Sequence, residues 1–472
     1  MAKPSIVILH LAPSVPGLRG LSAVMVVAVV LAGCAGHGKT SSSDSSSSTS
    51  APAPPAPPRV NVAAPQIGQG QLFATGHAAG EPSLAVTSGG SVYVTSLEVS
   101  SVPGQAFGDI RTGLLRSDDG GKTWLDVSPS LPDRSTSPQP STSDPFFYQD
   151  PLTGRLFVLD QQGVSCNLLS TSTDGAKSWN PPVPACPTPL TDHPSLVASP
   201  PLTLPAGLYP NYVYLCESTV VSVACNQSTD GGLTFAGIAA PFPVPDDCSG
   251  LVGHLAAGRD GTVYLPKNEC GVVQIGATID DGTTWTVSSI GGAKTAAEAI
   301  DPAIAVDQAD SLYATFMDDA SGIVVSRSTD HGKTWSTPVG ILPANLTAGN
   351  LPAMAAGTPG LVAVAYYGTE SGGGFGNASA VWDGYLAIGD FTQDPVVFRT
   401  ARVGPVGDPL VRGPCGPGRC QNVLDFISVA FDPEMRAWGA FVDTCVEACA
   451  AAGGTSSQSN ANAGVVAMWD GR

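Results

Sequence analysis

Charge is what this chain has least of. Only 13% of its 472 residues are Asp, Glu, Lys or Arg, about half the usual share of roughly 25%, whereas 43% are hydrophobic. A chain so composed can bury a large core, which excludes disorder throughout. Basic residues are scarcer still: 21 Lys and Arg stand against 39 Asp and Glu, for a net charge of -18. Nucleic acid is therefore excluded as a partner, and binding to anionic lipid through the protein surface meets the same repulsion. Past the N-terminal region no apolar run reaches the roughly 20 residues that span a bilayer. What abounds is Gly and Pro, 55 and 42 residues. That density of turn formers suits many short strands, argues against helical bundles, and at this length favours one large repeat-built domain of the all-β class.

Lys3 and Arg19 precede an uncharged, almost wholly apolar run, LSAVMVVAVVLA from Leu21 to Ala32, too short for a membrane span and suited to the core of an export signal. It ends in Leu31-Ala32-Gly33-Cys34, which resembles the bacterial lipobox, where the signal is cut before a Cys that carries lipid. The resemblance implies a signal peptide over residues 1–33 and a lipidated Cys34 that anchors the protein to a membrane, at a bacterial cell surface or in the periplasm. Residues 34–60 then form a tether: TSSSDSSSSTS from Thr40 is flexible, and the APAPPAPP after it is extended. The folded domain is expected over residues 61–472.

Within that domain a short pattern occurs five times: RSDDGGKTW from Arg116, STDGAKSW from Ser172, STDGGLTF from Ser228, TIDDGTTW from Thr278 and STDHGKTW from Ser328. Its aligned aspartates are Asp119, Asp174, Asp230, Asp280 and Asp330, spaced 50 to 56 residues apart, the length of a four-stranded sheet with its turns. The pattern resembles the Asp-box, or bacterial neuraminidase repeat, of sialidases and related β-propellers. Its chemistry is structural. Ser/Thr and Asp accept backbone N–H bonds in a tight turn, Gly takes the left-handed conformation, and Trp packs between neighbouring sheets. Ala176 replaces one Gly and Phe235 one Trp. Calcium loops are the alternative reading of the boxes.

Upstream of each box lies a second repeat, an apolar strand opened by a polar residue: Glu81-Pro, Asp144-Pro, Asp192-His193-Pro, Gly253-His254 and Asp301-Pro. It recurs after the last box at Leu351-Pro and at Asp425, so the count is seven units. Seven four-stranded blades form a propeller. The last unit has only three strands, ending in GVVAMWDG, and QGQLFATGH near residue 72 is a strand without a unit. The N-terminal strand is therefore expected to close the ring, with a six-bladed ring as the alternative.

Of 11 cysteines, ten remain after Cys34, an even number in an exported domain. Proximity in sequence suggests the pairs Cys166–Cys186, Cys216–Cys225, Cys248–Cys270, Cys415–Cys420 and Cys445–Cys449. A zinc site of the last four is the alternative.

Propeller sites lie on the face where inner strands start and second strands end. The starts supply the ligand-binding candidates Glu81, Asp144, Asp192, His193, His254, Asp301 and Asp425. The ends supply Glu98, Asp160, Glu217, Glu269, Asp318, Asp319, Glu370 and Asp443, against Lys267 alone among basic residues, so the mouth is expected to be negative. These acids read either as turn devices or as oxygen ligands for Ca2+, another hard cation or a cationic ligand; the two histidines also admit a transition metal.

Resemblance to sialidases implies three arginines, a Tyr nucleophile polarised by Glu, and an Asp acid/base. The first of those arginines opens the first inner strand, and here that stretch reads HAAGEPSLAV. Arg111, Arg116 and Arg327 fall on box-side strands, and Arg399, Arg402, Arg412 and Arg419 in a late insertion. Tyr366 or Tyr367 with Glu370 could mimic the nucleophile pair. The reading is a lipid-anchored, sialidase-like propeller that binds a glycan, a cationic ligand or a protein; the alternative is an exo-acting glycoside hydrolase.

Overall fold

In the computed structural model the described residues run from 67 to 471, outside 101–108, 130–143, 163–165, 187–190, 203–206, 220–221, 243–250, 270, 292–300, 319–321, 373–374, 417–418, 421–422, 447–448, 450–453 and 459–461. They form seven four-stranded antiparallel blades in chain order. The second strands open at Val92, Leu156, Tyr212, Val263, Leu312, Leu361 and Ala437. The only helical element among the described residues is a single 3-10 turn, Ser456–Gln458. No helix among them is long and apolar enough to cross a membrane.

Second strands such as Leu156–Gln161 and Leu312–Met317 are buried along their whole length, because both faces of a blade pack on neighbours. Outer strands such as Leu125–Asp126 and Thr286–Ser289 are largely exposed. The core accordingly divides into seven apolar clusters, one at each blade-to-blade interface. The cluster joining blade 7 to blade 1 packs Trp438, Ala440 and Val466 against Leu84, Val92 and Val94, so the ring closes.

Closure uses the N-terminal segment as expected. Gln71–Ala74 pairs antiparallel with Ala463–Trp469 and becomes the outer strand of blade 7. Just before it, Gly68 and Gln69 run parallel to the outer strand of blade 6, and Gln69 Nε2 donates to the carbonyl of Gly404 (2.6 Å). One short segment thus clasps two blades. The outer strand of blade 6, Phe398–Val403, carries Arg399 and Arg402, so these belong to the repeat and not to an insertion.

Four of the expected disulfides are present: Cys166–Cys186, Cys216–Cys225, Cys415–Cys420 and Cys445–Cys449. Cys216 and Cys225 face each other across the hairpin of blade 3. Bonded in these pairs, Cys415, Cys420, Cys445 and Cys449 offer no thiolates to zinc. The pair Cys248–Cys270 lies outside the described residues. Four disulfides suit an oxidising, extracytoplasmic compartment.

Candidate functional site

The five boxes build one geometry at the turn between third and outer strands. Ser117 donates to Asp119 (2.9 Å) and accepts from the backbone of Gly121, while Asp119 also takes the amide and hydroxyl of Thr123. Asp174, Asp230, Asp280 and Asp330 repeat this pattern. Hydrogen bonds from Thr123, Ser178 and Thr334 hold Asp119, Asp174 and Asp330 down at about 2. Both residues after each box Asp have positive φ, among them Ala176 (66°). Every carboxylate oxygen is engaged by the turn itself, which gives the boxes a structural role.

The end of the blades where the inner strands start is built differently. Glu81, His193, Leu351 and Leu424 have φ between 49° and 69°, a left-handed conformation that costs a non-Gly residue about 1–3 kcal/mol. In blades 3 and 6 the strand register also shifts, between Asp192 and Ser195 and between Asn350 and Ala353. Such a bulge re-aims one side chain. In blade 3 that residue is His193, and in blade 6 it is Leu351.

His193 is 1% exposed and bridges two distant blades: its Nδ1 lies 3.0 Å from Asp301 Oδ2 and its Nε2 lies 3.3 Å from Asp425 Oδ2. Its backbone N–H donates to Asp144 (3.2 Å), and the N–H of Asp425 donates to Glu81 (3.0 Å). Burial alone would lower the imidazole pKa, but hydrogen bonds to Asp301 and Asp425, with the charge of Asp144, raise it well above 6.5. His193 is therefore an imidazolium donating from both ring nitrogens.

Around it the carboxylates share protons. Burial, then the charge of Asp144 and a hydrogen bond with it, push Glu81 up to about 10. Burial and the hydrogen bond with Asp144 lift Asp192 to about 6. Burial would also raise Asp144, but bonds from Glu81 and Asp192 and the charge of His193 keep it low. Asp144 is the ionised centre of this trio.

His254 sits on the same cluster with its ring against Phe146 (5.0 Å) and Phe426 (4.6 Å); Phe426 also meets the edge of His193 at 4.5 Å. Burial and the nearby imidazolium push His254 down to about 4, so it is neutral. Beside it a cavity of about 90 Å³ opens between blades 4 and 7, lined by residues that include His254, Asp301, Leu351, Met354 and Asp425.

The structure thus gathers all seven inner-strand candidates, Glu81, Asp144, Asp192, His193, His254, Asp301 and Asp425. The second-strand acids do not join them. Asp160 takes the backbone N–H of Thr112 in blade 1, and Glu217 takes Asn167 of blade 2 (2.7 Å), each bridging neighbouring blades. Asp318 and Asp443 accept from Gly322 and Cys445 close by in sequence, and Glu370 accepts from Asn345 of the same blade. The side chains of Glu98 and Glu269, and all of Asp319, lie outside the described residues. Lys267 is buried with its ammonium over Phe242 (5.4 Å).

Two further expectations are corrected. Tyr366 and Tyr367 are fully buried; Tyr366 stacks on Tyr385, and the Tyr367 hydroxyl donates to the carbonyl of Val442 (2.9 Å). Burial raises both phenols, so neither can be a nucleophile, and exposed Glu370 polarises neither. Metal ligation also finds no geometry: among the described residues no three His, Cys, Asp or Glu side chains converge so as to hold a metal ion. Between Asp301 and Asp425 the chain places the imidazole of His193.

Arginines work elsewhere. Arg116 and Arg155 donate to the box carbonyls Gly175 and Gly231 of the next blade, each over a Tyr ring, and Arg327 lies over Tyr313. Arg402 lies 3.4 Å from Asp383, and Arg412 pairs with Val381. Among the described residues no arginine lines the cavity. Sequence reasoning missed Phe146 and Phe426, which pass as ordinary strand residues; their one signal is an aromatic just after an inner-strand Asp.

Seven closed blades carrying five boxes define the class, a seven-bladed β-propeller with Asp-box turns. No family model matches the chain, and no curated protein does. Similar solved structures include a protein of unknown function from Dyadobacter fermentans, 13% identical over 84% of this chain and 97% of that one, with TM-score 0.44. The K499G mutant of NanB sialidase from Streptococcus pneumoniae is 13% identical over 84% and 70%, TM-score 0.43. Hadza microbial sialidase Hz136 is 17% identical over 61% of this chain and 63% of that one, TM-score 0.43. These are distant likenesses.

Proposed function

We propose that the protein is an extracytoplasmic binding module, anchored to a membrane by lipid on Cys34 and engaging its ligand at the end of the propeller where inner strands begin. The observation that carries this reading is the hub itself. At that end the described charged groups are locked to one another around His193, with Asp301 and Asp425 only 5% and 7% exposed, and the described residues lining the cavity include no tyrosine or arginine. Such a hub fixes the positions of five blades, leaving a rigid rim and a small cavity for recognition. The four disulfides and the LAGC sequence support the extracytoplasmic address. Cys34→Ala tests the anchor: the variant is expected in the soluble fraction, and unchanged partitioning into detergent would refute lipidation.

A second reading has one specific observation in its favour. Asp192, half-buried and hydrogen-bonded to Asp144, keeps its proton up to about pH 6, as the general acid of a glycoside hydrolase must. A panel of fluorogenic glycosides, neutral and sialylated, separates the two. The binding reading expects no turnover; turnover that disappears in Asp192→Asn would replace it with a hydrolase.

A further inference from the structure

The cavity between blades 4 and 7 has a polarity that selects a chemical class. One end holds Asp301 and Asp425, whose oxygens also face His193. Next to them stands His254, lining the cavity, with its ring contacts to Phe146 and Phe426 only and no hydrogen bond from a described residue. The remaining wall is apolar: Met317, Leu351, Met354 and Ile427. From these features we infer that the cavity binds the end of a primary alkylammonium, its N–H groups directed at His254 and the two aspartates and its carbon stem against the methionines and Leu351. This rests on the binding-module reading and names the ligand class of that site.

Three arguments carry it. Size comes first: an apolar cavity of about 150 Å³ takes benzene, so about 90 Å³ is too small for a sugar ring with its hydroxyls and suits about four heavy atoms. Charge comes second. Of the described groups, Asp301 and Asp425 line the cavity and share one imidazolium, that of His193, and an ammonium relieves the excess of negative charge in the wall. A carboxylate ligand would add to it. Chemistry comes third: the imidazole of His254, kept neutral by its surroundings, accepts from an N–H donor, and the ring of Phe426 beside it favours a cation over a neutral group. Ammonium ions fit this arrangement better than a metal ion, because among the described residues no three His, Cys, Asp or Glu side chains converge so as to hold one.

Titration of the full-length protein in detergent with n-propylammonium chloride, at constant ionic strength, tests the inference. A saturable rise in melting temperature is expected, with 1-propanol and propionate at least tenfold weaker. His254→Phe keeps the ring between its aromatic neighbours but removes its nitrogens and should weaken binding about tenfold. Ala353→Leu, which projects new methyls from the apolar wall, should abolish binding without touching any charged group. Equal response to propanol and propylammonium, no saturable response at all, or undiminished affinity in Ala353→Leu would overturn the inference. Those failures leave the binding-module reading standing, since that falls only to glycoside turnover lost in Asp192→Asn.

Discussion

The box turns and the inner-strand starts, at the two ends of the blades, use aspartate in opposite ways. At the box turns the carboxylates are exposed or half-buried and bond to groups two to four residues away, as Asp119 does with Ser117 and Thr123. At the hub the carboxylates are buried and their partners are remote: His193 and Asp425 are 232 residues apart, Glu81 and Asp425 are 344. Hydrogen bonds from local donors lower the box acids, whereas burial and like charge raise Glu81 and Asp192. The same side chain is therefore a turn clip at one end and a proton store at the other, according to dielectric surroundings and neighbours.

The largest expected effect comes from breaking the hub. His193→Ala leaves Asp301 and Asp425 buried without their cation, and removal of one partner from a buried charged network costs about 3–5 kcal/mol. Denaturant unfolding should show that loss. Ser328→Ala, which removes a hydroxyl bonded only within its own box turn, to Asp330 and Gly332, should cost only about 1 kcal/mol. Equal costs would erase the distinction between the two ends.

A smaller effect separates the boxes from one another. A Cβ on Gly121 would lie 2.9 Å from the Phe73 ring at φ 88°, so Gly121→Ala should cost about 2 kcal/mol from strain and overlap. The same position in the second box is already Ala176, 7% exposed and packed with Tyr93, Leu114 and Phe147. Ala176→Gly gains backbone ease and loses a buried methyl, for a net change within about 0.5 kcal/mol. Unfolding midpoints of the two variants check this contrast.

The subtlest test is the pH dependence, where the two ends have opposite sign. Folded Glu81 holds its proton to about pH 10 against 4.5 unfolded, and Asp192 to about 6 against 3.8. In those windows the folded state binds more protons, so stability falls as pH rises. His193 acts in the same direction: its raised pKa gives stability that is complete below 6.5 and lost as pH rises through the folded value. Asp119, Asp174 and Asp330, held at about 2 against 3.8, give stability that is lost as pH falls through that window. His254, lowered to about 4 from 6.5, adds to the acid limb. Maximum stability is expected on the acidic side of neutrality. Glu81→Gln, whose amide can still donate to Asp144, should flatten the alkaline limb alone, and Asp330→Asn the limb below about pH 4. Urea midpoints across the range measure both.

Much of the fold was legible because its information is local and periodic. Boxes 50 to 56 residues apart and seven strands opened by a polar residue or by Leu351-Pro spell out the blades, and the unpaired QGQLFATGH strand points to the closure seen at Gln71–Ala74. The positions of the hub residues were legible too, since each opens an inner strand. Their partnership was not. Asp160 and Glu217 lie at second-strand ends like the other acids, yet the neighbouring blade captures them. Tyr366 and Tyr367 point to opposite faces of one strand, and both faces are buried.

The sequence by itself determined the strands, the turns that clip them and the number of blades, because hairpin register and turn chemistry depend on residues within a few positions of each other. Only the tertiary structure decided what the inner-strand acids are. Their protonation depends on burial and on charges brought from blades hundreds of residues away. The bulge that turns His193 inward sets a cation among those acids, and with it the shape and charge of the cavity beside them.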